Sequence, residues 1–275
     1  MQTTQSNSVA LLKTVRQTGT EAWYFSNDLL REDDIWLASY PRSGSHFARF
    51  ILVSARHFIQ YGTFPEDLSG MKTIPDIHGG RLEFAEGPPR IIKTHFPFDP
   101  RYRHVIHLVR DPRDVVISYF HYSKGLPHLF SEPPPAALKL PRFIDLFLQG
   151  KVWPGKVQAH SASYTEGGNT GKCQYTCIHY EALLNEPRQE YRRLLQAARV
   201  DFPVEHMDAL IQHTGFSNMQ RLHHPETARA GLVESNPSYI LRSGVAGKHA
   251  QVLRGRVRER VKAELENYLS TYGYR

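Results

Sequence analysis

The sequence predicts one α/β domain, a central and mostly parallel sheet flanked by helices and entered through a strand–loop–helix. Three observations predict it. Short, almost wholly apolar runs alternate with amphipathic stretches of helical length, as in a sheet covered on both faces. Prolines open several helical stretches, as at Pro112 and Pro187, where a missing N–H costs nothing. The run Ser39-Tyr40-Pro41-Arg42-Ser43-Gly44-Ser45-His46 separates the first apolar run from the first helical one.

Taken in order, residues 1 to about 20 read as a flexible tail, and the polar, uncharged MQTTQSNSVA has neither the basic nor the apolar region of a signal peptide. Strands are expected at Ile35–Tyr40, Arg90–Lys93, His104–Val109 and Gln174–Tyr180, short and almost wholly apolar. Helical periodicity places helices at Ser45–Ile59, Pro112–Tyr122, Pro141–Gln149, Pro187–Ala198, Val204–His213, Phe216–Arg221 and Arg258–Ser270. Residues 61–89, 123–141, 164–172 and 223–247 are rich in Gly, Pro or Ser and read as loops, long enough to serve as lids or binding segments. Neither a repeat nor a linker divides the 275 residues, so residues 1–275 form a single domain.

Composition narrows the function. With 40% hydrophobic and 22% charged residues the chain reads as soluble, and no apolar run approaches the ~18 residues of a membrane span. A cytoplasmic setting is expected. Cys173 and Cys177 share one face of a strand at about 13 Å along an extended chain, too far for a mutual disulfide, and read as structural thiols in a reducing compartment. The net charge of +7 suits an anionic ligand. Arg254, Arg256, Arg258 and Arg260 read as the solvated face of a terminal helix, and no nucleic-acid-binding motif is present.

The 39–46 loop has the outline of an anion cradle. Amides of the loop and of the first helical turn lack helical acceptors and lie at the positive end of the helix dipole. Arg42 adds a cation. The G-x-x-x-x-G-K-[ST] spacing of a Walker loop is absent, and Gly168-Asn169-Thr170-Gly171-Lys172 precedes a strand instead of following one. Four later segments follow in order: Lys93-Thr94-His95, Arg110 through Ser118, Tyr180-Glu181, and Arg242-Ser243-Gly244.

These five segments, spanning residues 33 to about 250, resemble the motifs of soluble sulfotransferases that use 3′-phosphoadenosine-5′-phosphosulfate (PAPS). The resemblance implies that family's P-loop-like fold and a sulfonate transfer from PAPS to a hydroxyl or amine of a small molecule, leaving 3′,5′-adenosine bisphosphate (PAP), with no metal. It implies that Arg42, Ser43, Gly44, Ser45 and His46 cradle the 5′-phosphosulfate. Arg110 and Ser118 take the 3′-phosphate together with Arg242, Ser243 and Gly244, a guanidinium fork suiting phosphate oxygens. Phe47, Tyr180, Thr214 and Phe216 line the nucleoside. By the same resemblance His95 is the general base, its ordinary pKa near ~6.5 suiting that role, and Lys93, Arg42 and Ser118 complete the catalytic set.

The chain departs from the family at Arg42 (usually Lys), Ser45-His46-Phe47 (usually Thr-Thr-Trp), Ser243 (usually Lys) and His249 (often Trp). The family's dimerisation signature is not matched after Lys248, which leaves a monomer or a dimer of another kind. Competing readings are a nucleotide-dependent phosphotransferase with a degenerate loop and a non-catalytic PAP-binding protein. The first needs the missing Walker lysine, and Lys93, His95 and Ser118 argue against the second. The acceptor pocket is expected from loops 20–25, 61–89, 123–165 and 223–247, which hold Trp23, Phe25, Tyr122, Phe130, Trp153 and Tyr239. An aromatic or polycyclic acceptor is expected, as in natural-product tailoring.

Overall fold

The computed structural model describes residues 9–10, 15–17, 20–22, 30–79, 81–82, 89–124, 126–135, 137–222 and 244–274. Trp23, Phe25, Tyr239, Arg242 and Ser243 lie outside them, as does most of the expected loop at 223–247. The sheet comprises β1 (Ile35–Ser39), β2 (Ile91–Thr94), β3 (His104–Val109) and β4 (Gln174–His179). All neighbours are parallel, in the order β2-β1-β3-β4. Because β1 leads to β2 on one side and β3 lies on the other, the strand order reverses at β1. Open α/β sheets bind ligands at such a point, outside the strands' carboxyl ends.

Both faces of β1 are buried, which explains its lack of polar alternation. Ile35 and Leu37 join a core with α1 (Ser45–Tyr61), whereas Trp36 and Ala38 pack on the other face with Tyr164. Asp34 and Arg90, just ahead of β1 and β2, form a two-pronged ion pair at 2.6 and 2.7 Å, so the two strands start in register. Gly62 closes α1 in the left-handed conformation, its amide donating to Phe58 O at 2.8 Å. Helix α2 (Pro112–Ser123) begins as its sequence predicts, with Pro112 in the first turn and Asp111 accepting from the Arg113 amide. Next comes α3 (Leu140–Leu148), shifted one residue from the expected span.

Several expectations need correction. Residues 164–169 are not a loop: α4 (Val157–Asn169) runs through Gly167 and Gly168, and only the turn at 170–172 remains. Rings of Phe98 and Tyr175 rest on these glycines, where a Cβ would lie 2.3 and 2.6 Å from them, so packing overrides weak helix propensity. Tyr180 does not end β4 but opens a short helix, α5 (Tyr180–Asn185). Finally, the 61–89 segment contains two 3-10 turns, Ser69–Thr73 and Ile77–Gly79.

The remaining helices are α6 (Pro187–Ala197), α7 (Met207–Thr214), α8 (Phe216–Leu222), α9 (His249–Val252), α10 (Gly255–Glu264) and α11 (Glu266–Thr271). The single helix expected at 258–270 thus breaks at Leu265, which is buried against the α2–α3 core. The expected helix at 204–213 starts as a 3-10 turn over Val204–His206. Arg254, Arg256, Arg258 and Arg260 are exposed, and Arg260 pairs with Asp145 at 2.6 Å. Cys173 and Cys177 are both free thiols. Among the described residues no helix is long and apolar enough to cross a membrane.

Candidate active site

The carboxyl ends of the four strands deliver the site. Leaving β1, the chain turns through two residues of positive φ, Arg42 at 71° and Gly44 at 100°. Such a turn directs successive amides to one side as an anion nest, and no side chain caps the α1 N-terminus behind it. Gly44 cannot be replaced freely: beyond its φ, a Cβ there would lie 2.4 Å from the Tyr180 ring. Arg42 adopts a left-handed conformation uncommon for a residue with a Cβ. Its Nε donates to Ser118 Oγ at 3.2 Å, and its guanidinium lies 4.8 Å over the Tyr122 ring. The hydroxyl of Ser43 is buried with no hydrogen-bond partner, which fits a cradle built for a ligand oxygen.

From the end of β3, Arg110 reaches back to this loop. It donates to Arg42 O at 3.1 Å and lies 4.4 Å over the Tyr180 ring, while its buried Nε has no partner. A fixed guanidinium with an unused donor suits an incoming phosphate. Glu181 braces this turn, accepting from the Asp111 amide at 3.0 Å and from Tyr274 Oη at 2.9 Å. Asp114 was not anticipated. Its buried carboxylate accepts the amides of Gly247 and His249 at 2.6 and 2.7 Å, tying that C-terminal segment to α2. Gly244, just upstream, sits against Phe216, where a Cβ would come within 2.4 Å of the ring.

One expected nucleoside contact already has core partners. Thr214 is fully buried, its hydroxyl donating to Leu210 O at 2.8 Å and paired with Tyr191 Oη at 2.8 Å, so core bonds use it. Phe47 is packed edge-on against Tyr180 and Tyr191, each at 6.3 Å, within the α1 core.

At the end of β2 stand Lys93 and His95. The His95 Nδ1 bonds to Ser39 O at 2.7 Å. A carbonyl only accepts, so Nδ1 carries the proton and Nε2 keeps the lone pair. Burial and the neighbouring Lys93 ammonium hold the His95 pKa well below the ordinary value. Lys93 Nζ pairs with Asp76 at 2.5 Å, and Asp76 is held below the usual carboxylate range by the Lys93 charge against the opposing effect of burial. His160, buried and lowered to about 4 by desolvation, bonds through Nε2 to His95 O at 3.0 Å. Trp153 stands edge-on to His95 at 5.9 Å. Its loop is held by Tyr119 Oη on Trp153 O at 2.6 Å and Tyr40 Oη on Gly155 O at 2.8 Å.

The cradle and the base therefore meet at the carboxyl end of the sheet: Ser39, which anchors His95, is three residues from Arg42. Asp76, His78, Asp114 and His160 were not expected there. His107, three residues from His104 on β3, is fully buried against Tyr164 at 4.8 Å, while His104 bonds Gln174 at the surface, so the two face opposite sides.

Known proteins show the same outline. Residues 32–272 match the Sulfotransferase domain family. Sulfotransferase 1E1 of Rattus norvegicus is 26% identical over 258 residues, covering 87% of this chain and 84% of that protein. Sulfotransferase 1A1 of Canis lupus familiaris is 24% identical over 238 residues, covering 78% and 76%. Among solved structures, mouse sulfotransferase SULT7A1 complexed with PAP superposes with a TM-score of 0.64 at 22% identity, covering 87% of this chain and 86% of that one. Retinol dehydratase in a complex with retinol and PAP gives 0.66 at 16% identity, covering 87% and 82%. With the family matched over nearly its whole length and the fold shared, the chain belongs to the sulfotransferase domain family and is an enzyme of that class.

Proposed function

We propose that this sulfotransferase carries the sulfonate group of PAPS to a hydroxyl or amine of a small-molecule acceptor by in-line attack, with His95 as general base. The observation that carries the reading is the Ser39 O–His95 Nδ1 bond at 2.7 Å, which leaves Nε2 as the basic nitrogen. Burial keeps that ring neutral, hence able to take a proton, throughout the neutral range.

When bound, the nucleotide supplies an activated sulfonate and a phosphate leaving group. The unpartnered Ser43 hydroxyl and Arg110 Nε support its fit. Residues 42–46 would hold the 5′-phosphosulfate, and Arg110, Ser118 and Gly244, with Arg242 and Ser243, the 3′-phosphate. Phe47, Tyr180 and Phe216 would border the adenine. Thr214 is left out, because its hydroxyl is already used in the core. Arg42, steadied by Ser118, and Lys93 would neutralise charge on the sulfonate and leaving oxygens, fixed cations being most effective where water is excluded. Trp153 and Phe96 beside the base suit a planar aromatic acceptor. A cytoplasmic enzyme, monomeric or dimeric through a surface other than the family's usual one, is part of the same reading.

The test offers radiolabelled PAPS with panels of phenols, alcohols, amines and glycans. One acceptor class should be labelled. His95→Ala should cut its turnover by roughly 10²–10⁴-fold while PAP affinity stays nearly constant. Retained turnover removes His95 as the base, and no labelling in any panel removes the transfer reading.

A further inference from the structure

The cation and the base of the Lys93-Thr94-His95 motif are both held from one short turn outside the sheet. Asp76-Ile77-His78 runs beside them in parallel: Asp76 forms a β-bridge with Lys93, whose amide donates to Pro75 O at 2.9 Å. Side chains then match in register. Asp76 Oδ2 receives Lys93 Nζ at 2.5 Å, and His78 Nε2 accepts the His95 amide at 2.9 Å. The two imidazoles lie nearly parallel, with centroids 5.6 Å apart and planes 13° from each other. An amide can only donate, so Nε2 of His78 is unprotonated and its proton sits on Nδ1. Asp76 Oδ1 also accepts the amide of His78 at 3.0 Å, which braces the turn internally. Trp153 closes the wall, edge-on to His78 at 4.9 Å.

We propose that Asp76 and His78 are positioning residues for sulfonate transfer: Asp76 aims the Lys93 ammonium, and His78 fixes the backbone and ring plane of His95. The proposal rests on the reading of His95 as base and Lys93 as transfer cation. The groups facing His95 are Lys93 on its own strand, Asp76 and His78 from the turn, Ser39 from β1, and His160 from α4. Desolvation holds His78 at about 3 and His160 at about 4, so at neutral pH Lys93 and Asp76 carry the charge in this set. Removing the Asp76 charge takes away a carboxylate that favours the protonated ring and lowers the proton affinity of His95. Removing the His78 ring admits water and raises it. These opposite shifts follow from charge and solvation alone, so the positioning role is read from the rate and from its rescue by a side chain that restores the acceptor for the His95 amide.

The experiment uses the full chain labelled with 15N-histidine, followed by long-range 1H–15N spectra from acidic to neutral pH with and without PAP. Rates are measured with PAPS and β-naphthol as the probe acceptor. His78 and His95 should both show the Nδ1–H tautomer. Asp76→Asn should lower the His95 midpoint and His78→Ala should raise it, each with kcat down roughly 10- to 100-fold and PAP affinity nearly unchanged. His78→Gln, whose Oε1 can accept the His95 amide, should recover most of the rate. An unmoved His95 midpoint in both variants, or a rate in His78→Ala equal to wild type, overturns the proposal. If His78→Ala fails to bind PAP, Asp76→Asn and His78→Gln decide: an unmoved midpoint in the first or a lost rate in the second refutes it. The spectra are read without turnover, so a failed positioning role is distinguishable from a failed base assignment, which His95→Ala tests by itself.

Discussion

Around residues 42–47 and 110–118 the structure gathers guanidinium groups and backbone amides. Around residues 76–95, at the same carboxyl end of the sheet, it gathers neutral imidazoles, His160 buried and His78 and His95 half-buried, behind the Lys93–Asp76 ion pair. The first region must hold anions, and arginine suits it because its charge does not switch off when desolvated. The second must accept a proton, so burial works in its favour by keeping the ring neutral. One end of the sheet thus carries two electrostatic plans, separated by the few residues between Ser39 and Arg42.

Substitutions that act on one end alone are the sharpest way to break this contrast. His95→Ala, described above, should remove transfer and spare PAP binding. Its counterpart, Arg110→Ala, should weaken PAP by about 10–100-fold, as expected for losing ~1.5–3 kcal/mol of hydrogen bonding to a charged group. Titration calorimetry should show a much smaller loss for the 3′-dephospho analogue, and equal losses would dissolve the distinction between the two ends.

A different measurement separates the ends by pH. His78, His95, His107 and His160 all have pKa values depressed by desolvation. Above ~6.5 these imidazoles are neutral in both folded and unfolded chains, and the shift has no effect on stability. As pH falls below that value, the unfolded chain takes up protons that the folded chain refuses. Stability should therefore drop by about 1.4 kcal/mol per pH unit for each such group, down to about 4, where His160 starts to charge in the folded state. Urea unfolding across this range checks it, and a flat profile would mean the imidazoles are hydrated. The smallest expected effect is Gly44→Ala. Forcing a Cβ into the left-handed region costs about 1–2 kcal/mol, before any contact with Tyr180. A melting point lower by a few degrees and weaker PAP binding, with the His95 titration unmoved, would confine Gly44 to the nucleotide end.

The same contrast decides what could be read from sequence. The cradle is contiguous, its turn, glycine and helix start lying within eight residues, so local chemistry alone announces it. Strands β1 to β3 were also legible, because strands buried on both faces must be apolar, whereas β4 is only partly buried. The surroundings of the base were not. Asp76 and His78 sit in a Gly- and Pro-rich segment, and their role arises only when that segment lies beside β2. Asp114 was hidden similarly, since its partners are amides more than a hundred residues away. Helix α4 was missed because Gly167 and Gly168 read as loop until the rings that cover them are known.

The bridge between Asp76 and Lys93 has a consequence beyond chemistry. Strand β2 is an outer strand of the sheet, and outer strands expose unpaired amides and carbonyls that invite pairing with other chains. The Pro75–Asp76 segment covers part of that rim, with Pro75 O taking the Lys93 amide. The turn that serves the base therefore also shields the sheet from edge-to-edge association. A substitution that loosens it puts solubility at risk together with turnover, so rates for variants at 75–78 belong on a per-soluble-monomer scale.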